Sequence, residues 1–235
     1  MKLRVLRMGR VEYQEILNIQ LDLLQKRQKS EIDDTLLLVE HPPVITMGRQ
    51  AKYSDILTSE ESLKRIGVKI YEIDRGGEVT YHGPGQIVGY TIIDLKNRNR
   101  DVRGFVRDME EIFIKLLERE YGIKSGRDPK YRGVWVGSHK IAAIGISIKR
   151  YITMHGFAFN VNTDLDHFKW IIPCGIRDKG VTSLKDILGY DVNLDKISNL
   201  IVRYFCEVFG YPRMALDLEN SLKTTEACSM MSSVP

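Results

Sequence analysis

A single α/β domain of the α+β kind, with a mixed β-sheet flanked by helices, is the fold class this sequence predicts. Three observations lead there. Short strand-like runs, such as residues 35–40, 44–47 and 87–95, are interspersed with amphipathic helical stripes. No linker-like stretch and no internal repeat divides the chain. At 235 residues it is long enough for one full hydrophobic core. One catalytic domain is therefore expected over residues 1–221, followed by a polar, serine-rich and flexible tail over 222–235.

The elements follow in order. Residues 3–6 read as a strand. Tyr13, Ile16, Leu17, Gln20, Leu21 and Leu24 then fall at helical spacing with one polar interruption. Lys26-Arg27-Gln28-Lys29 reads as the solvated end of that helix. Residues 35–40 and 44–47, separated by His41-Pro42-Pro43, suit buried strands. Thr58-Ser59-Glu60-Glu61 has the form of a capping box, and Gly67 closes the short helix that it opens. Residues 68–73 alternate as a strand. Phe105, Met109, Ile112, Phe113, Leu116 and Leu117 form a strong helical stripe that stops at Gly122. Residues 134–150 suggest a hairpin and 155–161 a further strand. A last amphipathic helix carries Leu194, Ile197, Ile201, Phe205 and Val208 and ends at Gly210.

Composition narrows the function. No run of about 18 apolar residues suggests a membrane span. The N-terminus lacks the pattern of a secretory signal, and three uneven cysteines make no disulfide framework. A reduced, cytoplasmic protein is expected. A net charge of +4 is too small and dispersed for nucleic acid but favours acidic protein partners.

The most informative stretch is the loop formed by Arg75, Gly76, Gly77, Glu78, Val79, Thr80, Tyr81 and His82, continuing through Gly83-Pro84-Gly85-Gln86. Glycines let the backbone approach a ligand closely, and the polar side chains among them can orient it. It fits neither common phosphate-binding glycine pattern, and a strand rather than a helix follows it. Cys174 lies between Pro173 and Gly175, on a sharply formed loop with an apolar approach. A thiol needs help to ionise near neutral pH. Strict alternation over residues 140–150 puts Lys140 on one face with Ala142, Ile144, Ile146 and Ile148, where burial would suit it to accept a proton. A bulge at Gly145 would break that parity. The bland alternative is a lysine that snorkels to water from a turn. His82 and His155 offer competing bases. Cys206 reads as core filler and Cys228 as a tail residue. No spacing of cysteine or histidine fits a metal site.

Together these residues resemble the lipoyl(octanoyl) transferases. The resemblance spans roughly residues 35–184. It rests on His41-Pro42-Pro43-Val44 with Thr46-Met47-Gly48-Arg49, and on the glycine loop continuing to Tyr90. Residues 140–145, His155-Gly156-Phe157-Ala158-Phe159-Asn160, Pro173-Cys174-Gly175-Ile176 and Thr182-Ser183-Leu184 complete it. It implies the fold of the biotin and lipoate protein ligases. It also implies transfer of an octanoyl group from octanoyl-acyl carrier protein to a lysine of lipoyl domains. Those domains belong to the E2 subunits of 2-oxoacid dehydrogenases and to the glycine cleavage H protein. By the resemblance, Cys174 is the acyl-thioester nucleophile and Lys140 lowers its pKa. The residues from Arg75 to His82, with Ala143, Ile144, Gly145, Gly156, Phe157 and Ala158, line the acyl pocket. Exchange between thioesters and then to an amide needs no ATP, metal or other cofactor. Backbone N–H groups near Gly175 and residues 143–145 are the expected oxyanion donors. An ATP-dependent ligase on the same fold, a non-catalytic docking module for acyl carriers or lipoyl domains, and a cysteine hydrolase are the alternatives.

Overall fold

A computed structural model describes residues 2–176 and 178–212. The larger of two sheets runs in the order β1 (Leu3–Arg10), β2 (Asp34–Glu40), β6 (Gln86–Ile92), β10 (Ile152–Asn160), β9 (His139–Lys149), β8 (Val134–Val136) and β7 (Gly126–Arg127). A short strand, β11 (Gly180–Val181), joins β9 in parallel, and β1 pairs with β2 in parallel. The remaining neighbours in this sheet are antiparallel. A second sheet has β3 (Val44–Met47) between β4 (Lys69–Glu72) and β5 (Val79–His82). The mixed sheet flanked by helices that the sequence pattern suggested is present, and among the described residues a second, smaller sheet joins it, because residues 79–82 leave the glycine loop as a strand and pair with β3.

Helices cover both faces of the larger sheet. On one side α3 (Val102–Tyr121) and α5 (Leu194–Phe209) bring Met109, Phe113, Leu116 and Phe205 onto Leu36, Leu38, Phe157 and Phe159. On the other, α1 (Tyr13–Gln28) lays Ile16 and Leu24 against Leu37, Val39, Val88 and Ile92. Alternation in β2 thus sends Leu36 and Leu38 one way and Leu37 and Val39 the other. Its unbroken apolar run is that of a strand buried on both sides. The helix ends follow local chemistry. Asp101 and Asn193 cap α3 and α5 by accepting N–H bonds, and Gly122 and Gly210 close them in the left-handed conformation. Ser59 caps α2 (Glu60–Arg65), and a further short helix, α4 (Leu184–Leu188), was not evident from the sequence.

Two details of α1 differ from the periodicity. Leu21 is exposed, whereas Gln20 is fully buried, because its Oε1 accepts the backbone N–H of His155. Arg27 is not solvated either. It turns inward and donates to Asp34 at 3.0 Å, with Asp94 at 3.7 Å. Cys206 is buried in the α5 core as expected, and burial pushes its thiol pKa up. Cys228 and the tail expected from residue 222 lie outside the described residues. Among the described residues, no helix is long and apolar enough to cross a membrane.

Candidate active site

The loop between β4 and β5 folds over the larger sheet and is tied down by its own backbone. Gly48, Arg49 and Gln50 N–H groups donate to the carbonyls of Glu78, Arg75 and Gly77, and Gly76 N–H donates to Ile146 at 2.9 Å. Close approach is why glycines stand here. A Cβ on Gly48 would lie 2.4 Å from the Gly77 carbonyl oxygen, and one on Gly145 would lie 3.1 Å from that of Gly76. Gly145 is paired with Gly156 across β9 and β10, so a stripe of the sheet beneath the loop carries no side chains. The Arg75 guanidinium is buried and donates to the Thr46 carbonyl and hydroxyl at 3.0 and 2.9 Å, joining the loop to β3.

Between this loop and the sheet lies a cavity of about 670 Å³, within the roughly 300–1,000 Å³ usual for small-molecule sites. It collects residues 75–80, His82, Lys140, residues 143–145 and residues 156–158 from the sequence-based set. Tyr81 is the exception. Alternation in β5 turns its ring to the other side, onto Phe168 and Trp170, with its hydroxyl bonded to His167 Nδ1 at 2.8 Å. Its side chain supports the smaller sheet's core and does not line the cavity.

Lys140 reaches the cavity by a route different from the expected one. Val134 faces Ala142 while Trp135 faces Lys140, so β9 carries one extra residue, Ile141, as a bulge. The bulge lies there and not at Gly145. Ile141 and Ala142 both enter the α3–α5 core, and Lys140 shares its face with Ala143. The lysine is buried, with Nζ 4.9 Å from the Trp135 ring centroid. Cys174 occupies a 3-10 turn, Pro173–Gly175, whose last residue has φ +63° and lines the same cavity. That turn consumes its own donors: Gly175 N–H binds the Ile172 carbonyl and Ile176 N–H that of Pro173. The oxyanion donor expected at Gly175 is therefore already engaged.

His82 and His155 form the inner polar wall, with the fully buried His41 behind them. His41 Nδ1 donates to the Val11 carbonyl, so its Nε2 accepts from the Tyr90 hydroxyl, both at 2.7 Å. Gln86 spends its amide N–H groups on the Tyr81 carbonyl and Asn160 Oδ1, so its Oε1 accepts from His82 Nδ1. Burial holds all three imidazoles neutral. It lowers His41 to about 4, His82 to about 3 with help from the His41 charge, and His155 to about 4 with help from Arg75. His155 also sits at φ +58°, a conformation uncommon for a side-chain-bearing residue. Periodicity did not flag Tyr13, Val88 and Tyr90 as lining residues, nor the rim residues Arg49, Gln50, Lys130 and Arg132. Their contribution depends on which elements the topology folds over the sheet. Among the described residues, no group of histidine, cysteine and carboxylate side chains is arranged to hold a metal.

Comparison with known proteins adds the following. Residues 12–206 match the lipoyl protein ligase A/B catalytic domain. An octanoyltransferase of Caldicellulosiruptor saccharolyticus is 56% identical over 89% of this chain and 90% of its own length. One from Alkaliphilus metalliredigens is 52% identical over 90% of this chain and 97% of its own. Among solved structures, a bipartite lipoate protein ligase from Thermoplasma acidophilum superposes with a TM-score of 0.69. It is 18% identical and covers 97% of this chain and 90% of that one, a likeness of fold.

Proposed function

The chain belongs to the octanoyltransferases, acyltransferases of protein lipoylation built on the lipoyl protein ligase A/B catalytic domain, and from that premise we propose a two-step transfer through a thioester on Cys174. The observation that carries this reading is the meeting of Lys140 and the Cys174-bearing turn on one cavity, although they come from separate elements. Lys140 takes the thiol proton, and the thiolate attacks octanoyl-acyl carrier protein. The alternation that turns the Ile146 carbonyl toward the loop turns the Ile144 N–H the same way, beyond the last β8 pairing at Ala142. That N–H is our candidate for the oxyanion donor. The carrier thiol leaves with the proton from Lys140, and the octanoyl chain rests against Val88, Phe157 and Ala158. The acceptor lysine then attacks and forms an amide, which lies downhill from a thioester. His82, engaged through Nδ1 and held neutral, shapes the wall.

The rim residues Arg49, Lys130 and Arg132 are exposed and cationic, which suits an acidic carrier as donor. For acceptors, the reading names lipoyl domains of 2-oxoacid dehydrogenase E2 subunits and the glycine cleavage H protein. Incubation with octanoyl-acyl carrier protein should leave an octanoyl adduct on Cys174, detected by mass spectrometry. Transfer with Cys174 unmodified would end the covalent route. Lys140→Ala should raise the thiol pKa in a pH-dependent alkylation assay, and an unchanged profile would remove Lys140 from this role.

A further inference from the structure

Transfer to an amine has a proton balance that Lys140 does not close alone. A lysine acceptor arrives as an ammonium, since its ordinary pKa is about 10.4, and leaves as an amide, so its nitrogen gives up two protons. In the thioester reading, on which this inference rests, Lys140 ends the acylation step neutral and accepts one of them. A second acceptor is required.

Among the described residues, the cavity is lined by six charged side chains: Arg49, Arg75, Lys130, Arg132, Lys140 and Glu78. With Lys140 neutral in the acyl-enzyme, an approaching ammonium is repelled by Arg49, Arg75, Lys130 and Arg132 and attracted by Glu78. A Cβ built on Gly175 would lie 3.0 Å from Glu78 Oε1 and 3.3 Å from Oε2, so the carboxylate rests against the residue that follows Cys174. Its main chain is pinned by the bond from Gly48 N–H, which fixes where the side chain starts. No hydrogen bond or ion pair from a described residue engages the carboxylate. Burial raises its pKa, Asp55 adds to the rise, and Lys140 and Arg75 oppose it. A raised carboxyl is the better proton acceptor.

We propose that Glu78 receives the acceptor lysine's ammonium beside the Cys174 turn and takes the first of its two protons. The N–H bond breaks, an O–H bond forms on Glu78, and the acid returns that proton to water at the cavity mouth. The free amine attacks the thioester carbonyl, forming C–N. The second proton passes to Lys140 Nζ as C–S breaks, and Cys174 leaves as thiolate beside the ammonium of Lys140.

The test separates the two half-reactions in the full chain and in Glu78→Gln, which keeps the side-chain volume. Acylation of Cys174 by octanoyl-acyl carrier protein is followed by mass spectrometry. Transfer from the isolated acyl-enzyme to a lipoyl domain is followed over a range of acceptor concentrations. Loss of one charge-assisted contact should lower kcat/KM for transfer about tenfold, with a raised KM for the acceptor. Acylation should slow by much less, and Glu78→Asp should restore part of the loss. Unchanged transfer overturns the proposal. So does an equal loss in acylation, which would make Glu78 a partner of thiol activation. Octanoyl transfer by the unaltered chain with no adduct on Cys174 would instead remove the thioester reading beneath it.

Discussion

Acidification from pH 7 to pH 5 should destabilise this protein through three histidines that the fold keeps neutral. The folded pKa values of His41, His82 and His155 lie at about 4, 3 and 4, against about 6.5 in an unfolded chain. Between those limits the unfolded state binds more protons, so stability rises with pH across the window. The contribution is fully present above about pH 6.5 and is lost as pH falls toward the folded values. At pH 5 each unfolded imidazole is about 1.5 units below its pKa, which is worth about 2 kcal/mol per site. Three sites together give roughly 5–6 kcal/mol. That is a large share of the ~5–15 kcal/mol typical of a domain. Glu78, whose pKa is raised, acts in the opposite direction. Urea unfolding at pH 7, 6 and 5, monitored by tryptophan fluorescence, reads the effect as a falling midpoint at constant slope. A change below about 1 kcal/mol from pH 7 to pH 5 would mean that these imidazoles are solvated or already charged, and the neutral wall described here would be wrong.

Two further outcomes follow from the same geometry. Gly156→Ala would place a Cβ 2.2 Å from the Gly89 carbonyl oxygen across β10 and β6, contact with backbone that cannot swing aside. It should cost about 1–3 kcal/mol in a urea melt. Replacing Lys130 and Arg132 with glutamate should slow acylation by octanoyl-acyl carrier protein several-fold at low salt. The deficit should shrink as ionic strength rises, whereas a salt-independent loss would point to direct damage to the cavity.

How much of this was legible in the sequence depends on how local each feature is. The stripe from Phe105 to Leu117 is wholly buried as its spacing predicts, and Gly122 ends that helix as its position predicts. Gln20 defied the pattern because a distant partner, the His155 N–H, outweighs its polarity. Arg27 did so because Asp34 and Asp94 converge on it from other elements. The glycine loop reads as a cavity wall, but the Tyr81 side chain lies off the cavity, since residues 79–82 are extended and alternate. Lys140 is the most instructive case. Alternation gave it an inward direction, yet strict parity would have driven it into the α3–α5 core. The one-residue bulge at Ile141 returns it to the cavity. A bulge has no simple signature in one sequence, so its effect on the site emerges only from the pairing.

The way the loop is anchored explains why so much glycine is tolerated beside the cavity. Glycine-rich segments lose more backbone entropy on ordering than others do, and a loop ordered only by its ligand would draw that cost from binding. Here the Arg75, Gly77 and Glu78 carbonyls are bound by the amides of residues 48–50, and the Gly76 amide by Ile146. Arg75 adds a side-chain tie to Thr46. The ordering cost therefore falls on folding, where the packing of both sheets and their covering helices offsets it, and the cavity stands formed before any ligand enters. The same anchoring fixes the main chain on either side of Glu78, at Gly77 through its carbonyl and at Val79 through β5. A carboxylate mounted on so constrained a backbone holds its place against Gly175 without a hydrogen bond of its own from a described residue, which is what the role proposed for it toward an amine requires.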